Sequence, residues 1–270
     1  MRAIRRAVFA FVVLVIFLSG ACVIAVVDPA SRGRFWPMGT FHKSLVLKPG
    51  GDVSLENRVG DVEILGWEED RVEISAVQGR EAPQAAGIYF LGRRLSPPEV
   101  RVRPDGNAVR IRTRESGYGQ EDELVDYVIR VPHSVNLDSI RNGRGKIAVA
   151  DVYGTTLLDA DEGEIRVRNY SGSLDIRMGI GSVDAELLDL RPQDSVRVKV
   201  ERGDIVLFLE PEAAAQLIAE APEGEISSEL ELGLPLAGRT ASAQLRGGGA
   251  SIELTAMSGD IRIRKVGKTP

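Results

Sequence analysis

The chain has 270 residues, with 5% aromatics, 29 glycines, a single cysteine and a formal net charge of -5. That length allows one large domain or two small ones, and the composition suits short strands and tight turns better than packed helices. The first 27 residues carry Arg2, Arg5 and Arg6 and no acid, which leaves 31 basic against 39 acidic residues, a balance of -8, for the remainder. This argues against nucleic acid as a partner, and the lone Cys22 excludes an internal disulfide framework.

Residues 1–6 read as a short basic tail, and residues 7–27 as an uncharged run that spans a membrane as a helix of about 31 Å at ~1.5 Å per residue. The arginines before it favour a cytoplasmic N-terminus and a body outside the membrane. Ser19-Gly20-Ala21-Cys22 offers an alternative, a lipoprotein signal with attachment at Cys22. It departs from that pattern by having Ser19 where leucine is usual and by staying apolar from Val23 to Val27. Simple cleavage is a third possibility.

Residues 28–43 read as a juxtamembrane linker, in which Phe35, Trp36 and Phe41 either rest at the interface or start the fold. Residues 44–266 form the strand-repeat domain and 267–270 a tail. Ser44–Leu47, Arg71–Ala76, Glu99–Arg103, Val109–Thr113 and Leu124–Val131 alternate as strands, with loops expected at Gln78–Pro98 and Glu115–Glu123.

The most regular stretch is 145–187. Gly145, Gly154, Gly163, Gly172 and Gly181 recur every nine residues, and each opens a strand whose second and fourth following positions are mostly apolar. Looser copies begin at Gly51, Gly60, Gly203, Gly224 and Gly259. Two nine-residue units make one coil of a flattened parallel β-solenoid, of about 18–22 residues per coil across the domain. An antiparallel meander is the competing reading. Only the solenoid stacks residues 18 apart, which sets Lys146 over Glu164, Arg166 over Asp184, Arg168 over Glu186 and Asp159 over Arg177, all of opposite sign. Glu212–Glu220 has helical composition, but the repeat favours a strand over Gln216–Ala221. Thr255–Lys265 reads as a final strand pair that closes or caps the stack.

Gly60-Asp-Val-Glu-Ile-Leu-Gly-Trp, Tyr127-Val-Ile-Arg-Val-Pro, the nine-residue glycine step and Ser258-Gly-Asp-Ile-Arg-Ile together resemble the bacterial adhesin-like family of β-strand-repeat proteins, a domain of unknown function. The resemblance covers about Ser44 to Lys265. It implies an all-β, right-handed β-helix-like stack in the bacterial cell envelope, and it carries no catalytic residues.

Chemistry-bearing residues are few. His42 and His133 suit surface or turn roles. Asp159, Asp161 and Glu162, and Glu121, Asp122, Glu123 and Asp126, are acid clusters for which solvated turns are the plain reading and Ca²⁺ the sharper one. Gly247–Gly249 lacks the context of a phosphate loop. The expectation is a non-enzymatic protein without cofactor or metal, single-pass in the cytoplasmic membrane. It acts there as a scaffold or adhesin-like module toward an envelope polymer or a membrane protein. Envelope-stress sensing and a β-helix polysaccharide lyase or hydrolase are the alternatives.

Overall fold

The computed structural model describes residues 14–18, 21–25, 35–81, 97–114, 123–230 and 239–267, and every regular element among them is a strand. Strands β1 (Leu14–Leu18) and β2 (Ala21–Ala25) pair antiparallel as a sheet of their own. Apart from these two backbone pieces, the membrane helix expected over 7–27 lies outside the described residues. Among those described, no helix is long and apolar enough to cross a membrane.

The remaining strands form one continuous sheet folded into two faces. The first face runs, in spatial order, through β7 (Glu99–Asp105), β8 (Ala108–Arg114) and β4 (Gly51–Val59). It continues through the first halves of β10 (Val135–Ala150), β11 (Thr156–Tyr170) and β12 (Leu174–Leu187), then β13 (Ser195–Arg202), β18 (Ala250–Ser258), β15 (Ala215–Glu220) and β17 (Thr240–Leu245). The second face runs through β3 (Phe35–Val46), β6 (Arg71–Glu81), β9 (Glu123–Pro132) and β5 (Val62–Trp67). The second halves of β10 to β12 follow, then β14 (Ile205–Leu209), β19 (Ile261–Lys265) and β16 (Ile226–Ser228). Pairing is parallel through the body of the stack and antiparallel for β3–β6, β6–β9, β7–β8 and β15–β17 at its ends.

Gly145 pairs with Gly163 and Gly163 with Gly181, a step of 18 residues per coil. The step widens to 22 where Leu174 meets Val196 and Val183 meets Ile205. Beyond these coils the layers do not follow chain order. The layer β4–β5 lies between β8–β9 and β10, and the layer β18–β19 lies between β13–β14 and β15–β16. At the N-terminal end the chain adds β8–β9 outside β4–β5 and then crosses back over that layer to β10, and at the C-terminal end it skips one layer and fills it later. Thr255–Lys265 is therefore an interior layer and not a cap. Gln78–Glu81, expected in a loop, extends β6 because it pairs with both β3 and β9. β3 begins at Phe35, inside the segment read as a linker.

Period-two alternation puts one side chain of each pair inward. On the first face Ile111, Leu55, Ile140, Leu158, Ile176, Val198 and Leu254 stand in one buried row. On the second face Ile129, Ile64, Val149, Val167, Ala185, Leu207 and Ile263 do the same. Burying each of the larger aliphatics contributes about 1.5–3 kcal/mol. The two rows pack on each other as the core.

One corner between the faces is a column of glycines: Gly60, Gly145, Gly163, Gly181, Gly203, Gly259 and Gly224. A Cβ on Gly163 would lie 2.0 Å from the Gly145 carbonyl oxygen, and one on Gly181 1.9 Å from that of Gly163. Gly163 also has φ +143°, a conformation side chains disfavour. The layers can approach to strand spacing at this corner only without side chains. Gly154 and Gly172 stack in the same way at the opposite turn. There Asp151, Asn169 and Asp189 take positive φ, as these residue types tolerate.

Candidate functional site

The aspartates at the glycine corner, Asp61, Asp204 and Asp260 after glycines and Asp126 after Val125, have a structural task. The Asp126 carboxylate accepts the Asp61 N–H at 2.7 Å, and Asp61 accepts that of Lys146 at 2.9 Å. At the other end Asp204 accepts the N–H of Asp260 at 2.9 Å, and Asp260 accepts that of Glu225 at 3.0 Å. Each carboxylate ties its layer to the next. The Asp260 N–H, followed by the Arg262 guanidinium, holds the Asp204 carboxyl below its ordinary range. This gives the Gly-Asp dipeptides of the repeat a physical reason.

Beside the glycine column, Asn57 and Asn142 occupy inward positions and are buried. The Asn57 Nδ2 donates to the Asn142 Oδ1 at 3.1 Å and to the Val125 carbonyl at 3.0 Å, and the Asn142 Nδ2 donates to the Gly60 carbonyl at 2.9 Å. Thr113 donates to the Asn57 Oδ1 at 2.8 Å and lies 2.7 Å from the Tyr127 hydroxyl, which burial pushes up to about 12. A phenol so placed stays protonated and acts as a strut for the corner.

The outward residues form charged rows. Lys146 sits on Glu164 in register, 3.7 Å apart. Arg166 and Asp184 are also register neighbours, but Arg166 pairs with Glu164 on its own strand at 2.5 Å. Asp184 is instead held by both Nη atoms of Arg168, at 2.9 and 2.7 Å. That bidentate bond raises the Arg168 pKa, and its guanidinium also lies 5.5 Å over the Phe208 ring. Arg168 reaches Glu186 at 3.8 Å. Asp159 and Arg177 are aligned, yet Asp159 contacts Arg141 at 3.8 Å and Arg177 contacts Asp175 at 3.6 Å. Register brings the charges side by side, and long arginine side chains then choose among opposite, same-strand and diagonal partners.

The histidines lie apart. His42 is exposed on β3 with its Nδ1 3.2 Å from the Ser75 hydroxyl. His133 is stacked on Tyr153, with its Nδ1 2.7 Å from the Asp151 carbonyl oxygen. Of the acid clusters, Glu121 and Asp122 fall outside the described residues. Glu123 is buried against Arg80 at 2.8 Å. Among the described residues no group of three His, Cys, Asp or Glu side chains is gathered as a metal site.

The sequence pattern places both strands of the β7–β8 hairpin but does not pair them. Its register places Arg101 opposite Arg112 and Arg103 opposite Arg110, a block of four arginines at one end of the first face. The signal was present in the alternating arginines of both strands and in the Asp105-Gly106 turn between them. An open groove of about 850 Å³ lies beside the block, with Ser54, Ser139 and Arg141 among its lining residues.

No curated protein matches the chain significantly. A crystal structure named for a candidate cell adhesion protein from Clostridium sporogenes is similar in fold, with TM-score 0.50 and 14% identity over 84% of this chain and 100% of that one. A candidate adhesin from Bacteroides fragilis aligns at TM-score 0.36 and 11% identity, covering 84% of this chain and 97% of its own. The corner glycines from 145 onward, the Asp204–Asp260–Glu225 ladder and the stacked layers from β10 to β19, all but Lys265, fall within residues 134–264. That segment is similar to the family described as Toastrack DUF4097, whose model matches residues 134–264.

Proposed function

We propose that the protein is a membrane-anchored, extracytoplasmic binding scaffold of the bacterial cell envelope, adhesin-like and non-catalytic. The observation that carries this reading is the two-faced stack, whose outward side chains stand in register rows along a continuous sheet surface. The uncharged run 7–27 supplies the anchor and the arginines before it set the orientation. The adhesion role in the name of the Clostridium structure accords with a surface that acts by contact. The partner is an envelope polymer or another membrane protein.

The test uses full-length protein in which Cys22 is replaced by serine and a cysteine is placed at the exposed Ser251. In intact cells freed of their wall, a membrane-impermeant thiol reagent should label the protein, which should also stay with the membrane. Labelling only after lysis would overturn the extracytoplasmic orientation. Release of the Cys22→Ser protein from the membrane would replace the helical anchor with lipid attachment. Crosslinking in intact cells then separates the partners: wall polymer supports adhesion, and one regulatory membrane protein supports sensing.

A further inference from the structure

Along the first face the outward row alternates in sign, from Arg112 to Glu56, Arg141, Asp159 and Arg177. The alternation ends where Arg177 meets Lys199, a single like-charge pair, and it breaks more strongly at β7–β8, where two successive cross-strand pairs are arginine against arginine. Like charges directly opposite each other destabilise a sheet, so fold stability does not account for the block. Nor is the block a general feature of this face's edges. The terminal strand of the same face at the other end, β17, reads Thr-Ala-Ser-Ala-Gln-Leu and carries no charge.

Three of these cations have acid neighbours: Arg101 with Glu99 at 2.9 Å, Arg110 with Asp105 at 3.0 Å and Arg112 with Glu56 at 2.5 Å. All three pairs are solvent-exposed and therefore weak and exchangeable. Arg103 has no ion-pair partner among the described residues. Ser54 lies beside Arg110 in register, and Ser139 beside Ser54. Glu56, Asp105 and Asp138 also line the groove, but its six arginines outnumber them, and guanidinium forks beside hydroxyl donors match the chemistry of phosphate oxygens. A lipid surface fits less well, because it calls for apolar insertion and no large exposed hydrophobic residue belongs to this block. The block also lies outside the family match at 134–264, so it is a feature of this chain's own first layers.

We propose that the arginine block of β7–β8 and its groove bind a linear phosphodiester-type polyanion of the envelope. This rests on the scaffold reading and names its ligand class.

The probe is fluorescein-labelled inorganic polyphosphate, titrated against the full chain in neutral detergent micelles at low and high salt. Wild type should bind, with affinity falling as salt rises. Arg103→Gln with Arg110→Gln should weaken binding about tenfold or more, while Arg197→Gln, on the same face but paired with Glu253 at 3.0 Å, should leave it unchanged. Arg103→Glu alone should weaken binding yet raise the melting temperature, because it turns a repulsive cross-strand pair into an attractive one. A purely structural role predicts no such split. Absent binding by wild type, or equal weakening by Arg197→Gln, would overturn the proposal. So would capture of phosphatidylglycerol vesicles by the block without capture of polyphosphate. A protein that passes the thiol-labelling test but ignores polyphosphate would lose this ligand class and keep the scaffold reading.

Discussion

Gly163 and Glu164 are chain neighbours with opposite tolerance. A valine at Gly163 would meet the Gly145 carbonyl and hold a β-branched residue at φ +143°. Gly163→Val is expected to cost at least about 3 kcal/mol. Glu164→Val loses only half-exposed contacts with Lys146 and Arg166, a cost below about 1 kcal/mol. Thermal melts that rank the two the other way would remove the glycine column as the organising corner. Asp204 sets a pH dependence at the same scale. Its folded-state pKa is depressed, so its contribution is complete above the unfolded value of about 3.9 and is lost as pH falls through the folded value. Asp204→Asn should therefore flatten the acid limb of the stability curve below about pH 4, measured by urea melts across pH. The step from Gly145 to Gly181 was legible because consecutive coils carry it. Gly203, Gly259 and Gly224 stand in the same column, but their chain order is not their spatial order, so spacing alone could not join them.

Within elements, alternation located most strands and failed where polar residues face inward. Asn57 continues the inward positions Val53 and Leu55 of β4, yet it reads as a solvated residue until its partners are in view. Its register neighbours further along the row are Asn142, Ala160, Met178 and Val200, so the corner changes from polar to apolar along the stack. Asn57→Leu should destabilise by about 1–3 kcal/mol, because it strands the Asn142 amide and the Val125 carbonyl. Met178→Leu, in the same row, should cost less than about 1.5 kcal/mol. Chemical denaturation of the two variants checks the contrast, and similar costs would show that the asparagine pair is dispensable. The arginine block was hidden for a related reason. Each arginine fits an ordinary outward position, and only the antiparallel register of β7 with β8 sets them face to face.

For the whole molecule, composition and periodicity pointed to an all-β stack but could not give its layer order, which depends on pairings far apart in the chain. The clearest test is deletion of residues 246–270. In a sequentially wound solenoid this would trim a terminal coil at modest cost. Here it removes the layer β18–β19 and leaves β13–β14 and β15–β16 two strand spacings apart, about 9.6 Å at ~4.8 Å each. The truncated protein should lose its cooperative melt, and a melt near the wild-type temperature would contradict the interior placement. The same interleaving has a temporal meaning. As the chain emerges from its N-terminus, β15 and β16 exist before the strands that must come to lie between them and β13–β14. The far end cannot lock until residues 250–265 arrive, at the entropic expense of long-range closure. A finished fold is thus a record that the chain was delivered through its last strands. Interrupted chains would keep open edges, marking them for proteases before they could accumulate.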